Sequence, residues 1–112
     1  MKPVDWRPRA RADAAEAAWW HAREAGLDVG VRFLDAIDRA LARLSLFPPS
    51  GSMRHAHVAP DLAVPLRFVM PDGFERDLIY YLDRPDRVLV LRIWNTARGL
   101  DALVADDTEP SP

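Results

Sequence analysis

Between Phe33 and Phe47 the apolar residues Phe33, Leu34, Ile37, Leu41, Leu44 and Phe47 recur at intervals of three and four. That spacing lines one side of an α-helix and leaves the other polar, so the segment has to lay its apolar side on something else. Asp28 stands where an N-cap is expected, and Pro48-Pro49 stops the helix because the residue before a proline is driven out of the α region. Immediately upstream, Arg11 to Ala25 is rich in helix formers. Pro8 suits an opening turn and Gly26 a C-terminal cap. Two helices separated by so few residues lie antiparallel. Ala15, Ala18, Trp19 and Ala22 share a face of the first, which predicts close contact between the two. Of Trp19 and Trp20, on adjacent faces, one is expected in the core and the other exposed as a partner anchor. His21 is expected at the surface.

The rest of the chain has a different period. A long irregular link from Pro48 to Ala63 leads to three strand-like runs, Val64 to Met70, Phe74 to Leu82 and Arg87 to Asn95. Pro71-Asp72-Gly73 suits a three-residue hairpin loop, and Asp83-Arg84-Pro85-Asp86 another tight connection. Val4 to Trp6 has the makings of a short N-terminal strand, and Ala97 to Val104 of a short terminal helix. The predicted class is α+β: an N-terminal strand and a helical hairpin packed on an antiparallel sheet of about four strands. At 112 residues this is one domain, expected over residues 1–105, with 106–112 as an acidic, proline-punctuated flexible tail.

The loop lengths predict a register. A three-residue loop puts Arg67 opposite Asp77, and a four-residue loop puts Asp77 opposite Arg92. The expected result is a row Arg67–Asp77–Arg92 on one face, each cross-strand pair contributing about 0.2–1 kcal/mol. Alternation then groups Leu66, Phe68, Leu78, Tyr80, Leu89, Leu91 and Ile93 on the face under the helices. Val69, Ile79, Tyr81, Val88, Val90 and Trp94 join the charged row on the other. That second face is expected to be a partner surface, unless the C-terminal segment folds back over it.

Composition excludes several classes. There is no cysteine, so no disulfide or thiolate metal site. No stretch spans a bilayer, and the N-terminus has no apolar run of signal-peptide length, so the expected location is the cytoplasm. A formal net charge of −2 gives no bulk attraction to nucleic acid. Lys2 is the single lysine among 15 Lys and Arg. His55 and His57, beside Arg54 in the long link, lack the further ligands of a tetrahedral zinc site. No metal or cofactor is expected.

Taken in order, these pieces resemble the RelE/ParE toxin superfamily, and its ParE (plasmid-stabilisation) branch more than the other. The resemblance runs from Asp5 to Leu103. It rests on the helical hairpin, Leu46-Phe47-Pro48-Pro49-Ser50-Gly51-Ser52 leaving it, Leu66-Arg67 opening the sheet, Leu78-Ile79-Tyr80-Tyr81-Leu82, and Val88-Leu89-Val90-Leu91-Arg92-Ile93-Trp94. Asn95-Thr96-Ala97-Arg98-Gly99 is similar to the family's closing His-Gly-Ala-Arg-Asp, with Asn95 in place of the histidine and Gly99 in place of the aspartate.

The resemblance implies the toxin half of a type II toxin–antitoxin pair. It would be neutralised in a hetero-oligomer by an antitoxin whose disordered segment folds on the toxin. ParE-type members poison DNA gyrase; RelE-type members cleave messenger RNA on the ribosome. Metal-free cleavage needs a proton acceptor and cations for the developing phosphorane charge. Arg67 and Arg92 match the family's strand arginines. His55 is a candidate base only if it swings toward them, and nothing after Tyr81 is a Tyr, His or Lys. The gyrase-directed branch is therefore favoured. The endoribonuclease and a non-toxic antitoxin-binding protein of the same fold stand as alternatives. Target or antitoxin contacts are expected from Arg54, Arg67, Tyr81, Arg92, Trp94 and Arg98.

Overall fold

A computed structural model of the chain describes residues 1–107. Strand β1 (Val4–Trp6) is followed by helices α1 (Pro8–Ala25) and α2 (Leu27–Leu46). Strands β2 (Arg67–Val69), β3 (Asp77–Asp83) and β4 (Val88–Asn95) come next, then helix α3 (Leu100–Asp107). Single 3₁₀ turns lie at Pro48–Ser50, Ala56–Val58 and Thr96–Arg98. The α+β class, the helical hairpin, the N-terminal strand and the terminal helix all form as expected. The sheet has the order β1-β4-β3-β2 and is mixed: β1 runs parallel to β4, with Val4 beside Val88 and Trp6 beside Val90. The acidic stretch expected to fray from 106 begins inside α3; its remainder, 108–112, lies outside the described residues.

The helices are joined by Gly26 alone, which caps α1 by donating its N–H to Ala22 and, at φ 108°, turns the chain straight into α2. That φ is open to glycine at no steric cost. Asp28 is therefore the second residue of α2 rather than its N-cap; it makes no capping bond and lies 3.9 Å from Arg32 one turn on. The helices meet at Gly30, where a Cβ would stand 2.8 Å from the Ala18 carbonyl and 3.0 Å from the Ala22 Cβ. Two of the four small-face residues thus make the expected close crossing. Ala15 is exposed, and so are both tryptophans, at 63% for Trp19 and 50% for Trp20. His21, the next residue of α1, points inward and packs on Phe33 and Phe74.

The predicted charged row does not form. Arg67 pairs with Tyr81, Asp77 with Asn95, and Arg92 with Tyr80. Two features displace the register. Pro71 and Phe74 each accept a turn hydrogen bond, from Phe74 and Asp77, so the β2–β3 connection runs from Met70 to Leu78 rather than three residues. In β4 the extra residue Leu91 makes a bulge opposite Tyr80/Tyr81, and one extra residue exchanges the faces of everything beyond it. Ile93 thereby joins Ile79, while Arg92 and Trp94 join Tyr80 and Leu78.

The face assignment is also inverted. The hairpin residues Phe33, Ile37, Leu41 and Leu44 pack on Ile79, Tyr81, Val88, Val90 and Ile93. Of the set expected beneath the helices, Leu66, Leu78, Tyr80, Leu89 and Leu91 form a second layer instead, joined by Leu82 and Trp94 and with Phe68 packed against it. Alternation sorts residues into two sets but does not say which set meets the helices. This second face is covered by Leu100 and Leu103 of α3 and by Val58, Ala59 and Val64 of the long link, so the C-terminal segment does fold back.

Candidate functional site

Beyond Trp6 the β4 edge has no strand beside it, and α1 takes over. Asp13, buried on α1, accepts the Ile93 N–H at 3.0 Å and two bonds from the Arg92 guanidinium, at 2.7 and 3.1 Å. The side chain thus stands in for a missing strand and neutralises the arginine. One to two turns on, α1 borders a cleft of about 1070 Å³ whose far wall is the start of β3 and the end of β4. Its floor is a polar chain: His21 Nε2 lies 3.0 Å from one oxygen of buried Asp77, and the Asn95 amide donates to the other at 3.3 Å. Asn95 also accepts from Ala97 N–H and so caps the Thr96–Arg98 turn. Trp19, Trp20, Arg23, Arg76 and Arg98 border the same cleft, and the Arg98 guanidinium lies 3.9 Å above the Trp94 ring.

Arg67 and Arg92 are not brought together. They stand opposite Tyr81 and Tyr80, neighbours on β3, and so leave the sheet on opposite sides. Arg67 donates to the carbonyls of Pro49 and Gly51 at 3.0 and 3.1 Å. Tyr81 clasps the same turn, donating to Pro48 at 2.7 Å and accepting from Gly51 N–H at 2.8 Å. Burial raises its phenol pKa. This pair fixes the exit from α2. Tyr81 and Trp94, expected at a binding surface, are interior at 0% and 1% exposure, and Arg92 is 3% exposed.

His55 is held by Tyr80 and Phe68. Its Nδ1 is 2.8 Å from the Tyr80 hydroxyl and its ring stacks on Phe68 at 4.6 Å. Desolvation, then the charges of His57 and Arg54, lower its pKa, while burial pushes Tyr80 up to about 12. His55 is a packed link between the loop and the sheet. Arg54 is exposed beside it. Sequence reasoning missed Asp13, His21 and Asp77 as one framework, since an aspartate or histidine amid a polar helix reads as solvated. Two signals were present: Asp13 and His21 lie eight residues apart, near enough to two helical turns to share a side, and Asn95 ends the strand that Asp13 edges. No group of three or more His, Asp or Glu able to hold a metal occurs among the described residues.

The architecture is a helical hairpin laid on a four-stranded mixed sheet, with this cleft along α1. A solved structure described as the chromosomal ParDE TA system from P. aeruginosa has a chain that superposes on it with a TM-score of 0.67, covering 85% of this chain and 96% of that one at 15% identity. The family model of the ParE toxin of the type II toxin–antitoxin system parDE matches residues 4–100. The chain belongs to that ParE toxin family. No curated protein matches the sequence. Among the described residues no helix is long and apolar enough to cross a membrane.

Proposed function

We propose that this chain inhibits DNA gyrase and is neutralised by a cognate antitoxin, acting in the cytoplasm as one domain over residues 1–105. The observation that carries the reading is the separation of Arg67 and Arg92. A metal-free nuclease site needs cations and a proton acceptor converging on one phosphate. Here one arginine is engaged by the Pro49 and Gly51 carbonyls and the other by Asp13, on opposite faces. Membership of the ParE family supports the same branch. The solved relative's description as a ParDE system supports pairing with an antitoxin. Exposed Arg54 and Arg98 remain the candidate contacts. The test is a supercoiling and cleavage assay with purified gyrase: loss of supercoiling and linearised plasmid are expected. Unimpaired supercoiling at large toxin excess overturns the reading.

One observation favours a second reading, ribosome-dependent RNA cleavage. His21 is oriented by Asp77 in a cleft that also holds Arg76 and Arg98, a base and cations in one place. Mapping RNA ends after induction decides it: cuts that vanish in His21→Ala support the nuclease. Their absence from the native toxin excludes it. Unaffected growth on induction without the antitoxin gene would instead favour a non-toxic antitoxin-binding protein.

A further inference from the structure

The outer side of α2 carries two rows with the same spacing. Leu27, Val31, Leu34 and Asp38 recur at four, three and four residues, and Asp28, Arg32, Asp35 and Arg39 repeat that spacing one residue on. One residue is about 100° round the helix, so the rows run side by side. Leu27, Val31 and Leu34 are 70%, 53% and 43% exposed, and the five charged residues are exposed with them. Apolar residues scattered singly are ordinary on a surface. Three in one row on one helix make a seam.

The second row alternates in sign: negative, positive, negative, positive. It contains two Asp–Arg pairs at i,i+4, a spacing that stabilises a helix when the pairs close. Neither closes firmly. Asp28 and Arg32 lie 3.9 Å apart, and Asp35, Asp38 and Arg39 have no ion-pair partner among the described residues. A spacing of four, three, four reads the same in both directions, but the signs read backwards are reversed. Laid antiparallel on a copy of itself, the row meets opposite charge at every position: Asp28 faces Arg39, and Arg32 faces Asp35. The apolar row reverses about nearly the same point, with Val31 facing Leu34 and Leu27 facing Asp38. The two centres differ by one residue, about 1.5 Å along the axis, an offset that a modest crossing angle takes up. Asp38 then meets the first turn of the other α2, which has no side-chain cap and whose dipole favours an anion.

We propose that two copies of this chain associate through α2, antiparallel about a two-fold axis beside residues 32–34. Val31 and Leu34 form the centre and the Asp–Arg contacts run along one flank. A two-fold interface has to be complementary to itself, and both rows meet that condition. A partner of unrelated sequence gives no reason for either to be symmetric under reversal. The residues lining the α1 cleft include none from α2, so the pairing leaves that cleft open in both copies. One helix face per copy is smaller than the ~800 Å² per partner of a standard interface, which makes the dimer weak and dependent on concentration.

The test is sedimentation equilibrium of the purified chain up to about 500 µM, a range that reaches dissociation constants in the high micromolar. A monomer–dimer equilibrium is expected. Val31→Asp with Leu34→Asp is expected to be monomeric throughout. Asp28→Arg with Asp35→Arg makes the flank wholly positive, and Arg32→Asp with Arg39→Asp makes it wholly negative. Each of these variants alone is expected to self-associate about tenfold more weakly or worse, through like-charge contacts. Their equimolar mixture is expected to regain a heterodimer at least as tight as the native dimer. The substituted positions are all exposed, and circular dichroism melts verify that the variants fold. A native chain that stays monomeric at every concentration overturns the proposal and leaves the seam to a partner of another sequence. A dimer that persists in the Val31→Asp, Leu34→Asp variant overturns it in favour of another face. Charge variants that mix without associating overturn the antiparallel pairing.

Discussion

Asp13 accepts three hydrogen bonds in the interior, from Arg92 twice and from the Ile93 N–H. Asp13→Ala removes all three bonds at once, and breaking one partner of a buried ion pair costs about 3–5 kcal/mol. Urea denaturation is expected to show a loss of that size. The partly exposed pair Lys2–Asp83, at 2.7 Å, is expected to cost about 1 kcal/mol or less on Asp83→Ala. His55 makes a second residue-scale prediction. Its pKa is lowered in the fold, chiefly by desolvation, so folding favours the neutral ring. Its contribution is fully present above the ordinary value near 6.5 and is lost as pH falls from there through the lowered value, where the unfolded chain binds the proton first. Melting His55→Phe beside the native chain between pH 7.5 and 5 checks this: the native chain is expected to lose more stability over that interval, and parallel curves would exclude His55 as the cause.

At the scale of elements, the hairpin depends on the crossing at Gly30. Gly30→Ala gains up to about 1 kcal/mol of helix propensity, but its methyl meets the Ala18 carbonyl and Ala22 at 2.8 and 3.0 Å. Backbone cannot step aside as a side chain does, so overpacking of about 1–3 kcal/mol wins and the melting temperature is expected to fall. A rise would mean the helices slide apart freely. The hairpin was legible in the sequence because a 3.6-residue period and a proline stop are local signals. The strands were legible as runs for the same reason. Their register was not, because it depends on where turns close. Pro71-Asp72-Gly73 has the residues of a tight hairpin, yet Phe74 packs against His21 and Phe33 and draws the chain into a wider connection. Leu91 carries no mark distinguishing a bulge from a regular strand residue. Asp77 was singled out, but for arginine neighbours; its partners His21 and Asn95 become visible only once α1 lies along the β4 edge.

For the whole molecule, the sheet is a septum between two apolar layers, the helical hairpin on one side and α3 with the long link on the other. Leu103, 5% exposed, anchors the thinner cover. Leu103→Asp is expected to lift α3 while the hairpin side holds, exposing Leu78, Leu89 and Leu91. Dye binding by anilinonaphthalene sulfonate should rise severalfold with far-ultraviolet dichroism largely retained. Unchanged dye binding would show that the long link alone seals that face. The edge position of β1 has a consequence for synthesis. Its parallel partner is β4, so the fourth residue waits for the eighty-eighth. A ribosome stalled ahead of that codon holds a nascent chain with nowhere to seat its first strand, and with the helical hairpin still lacking most of the surface it covers. An unfinished polypeptide of this kind is a substrate for proteases before it is a poison.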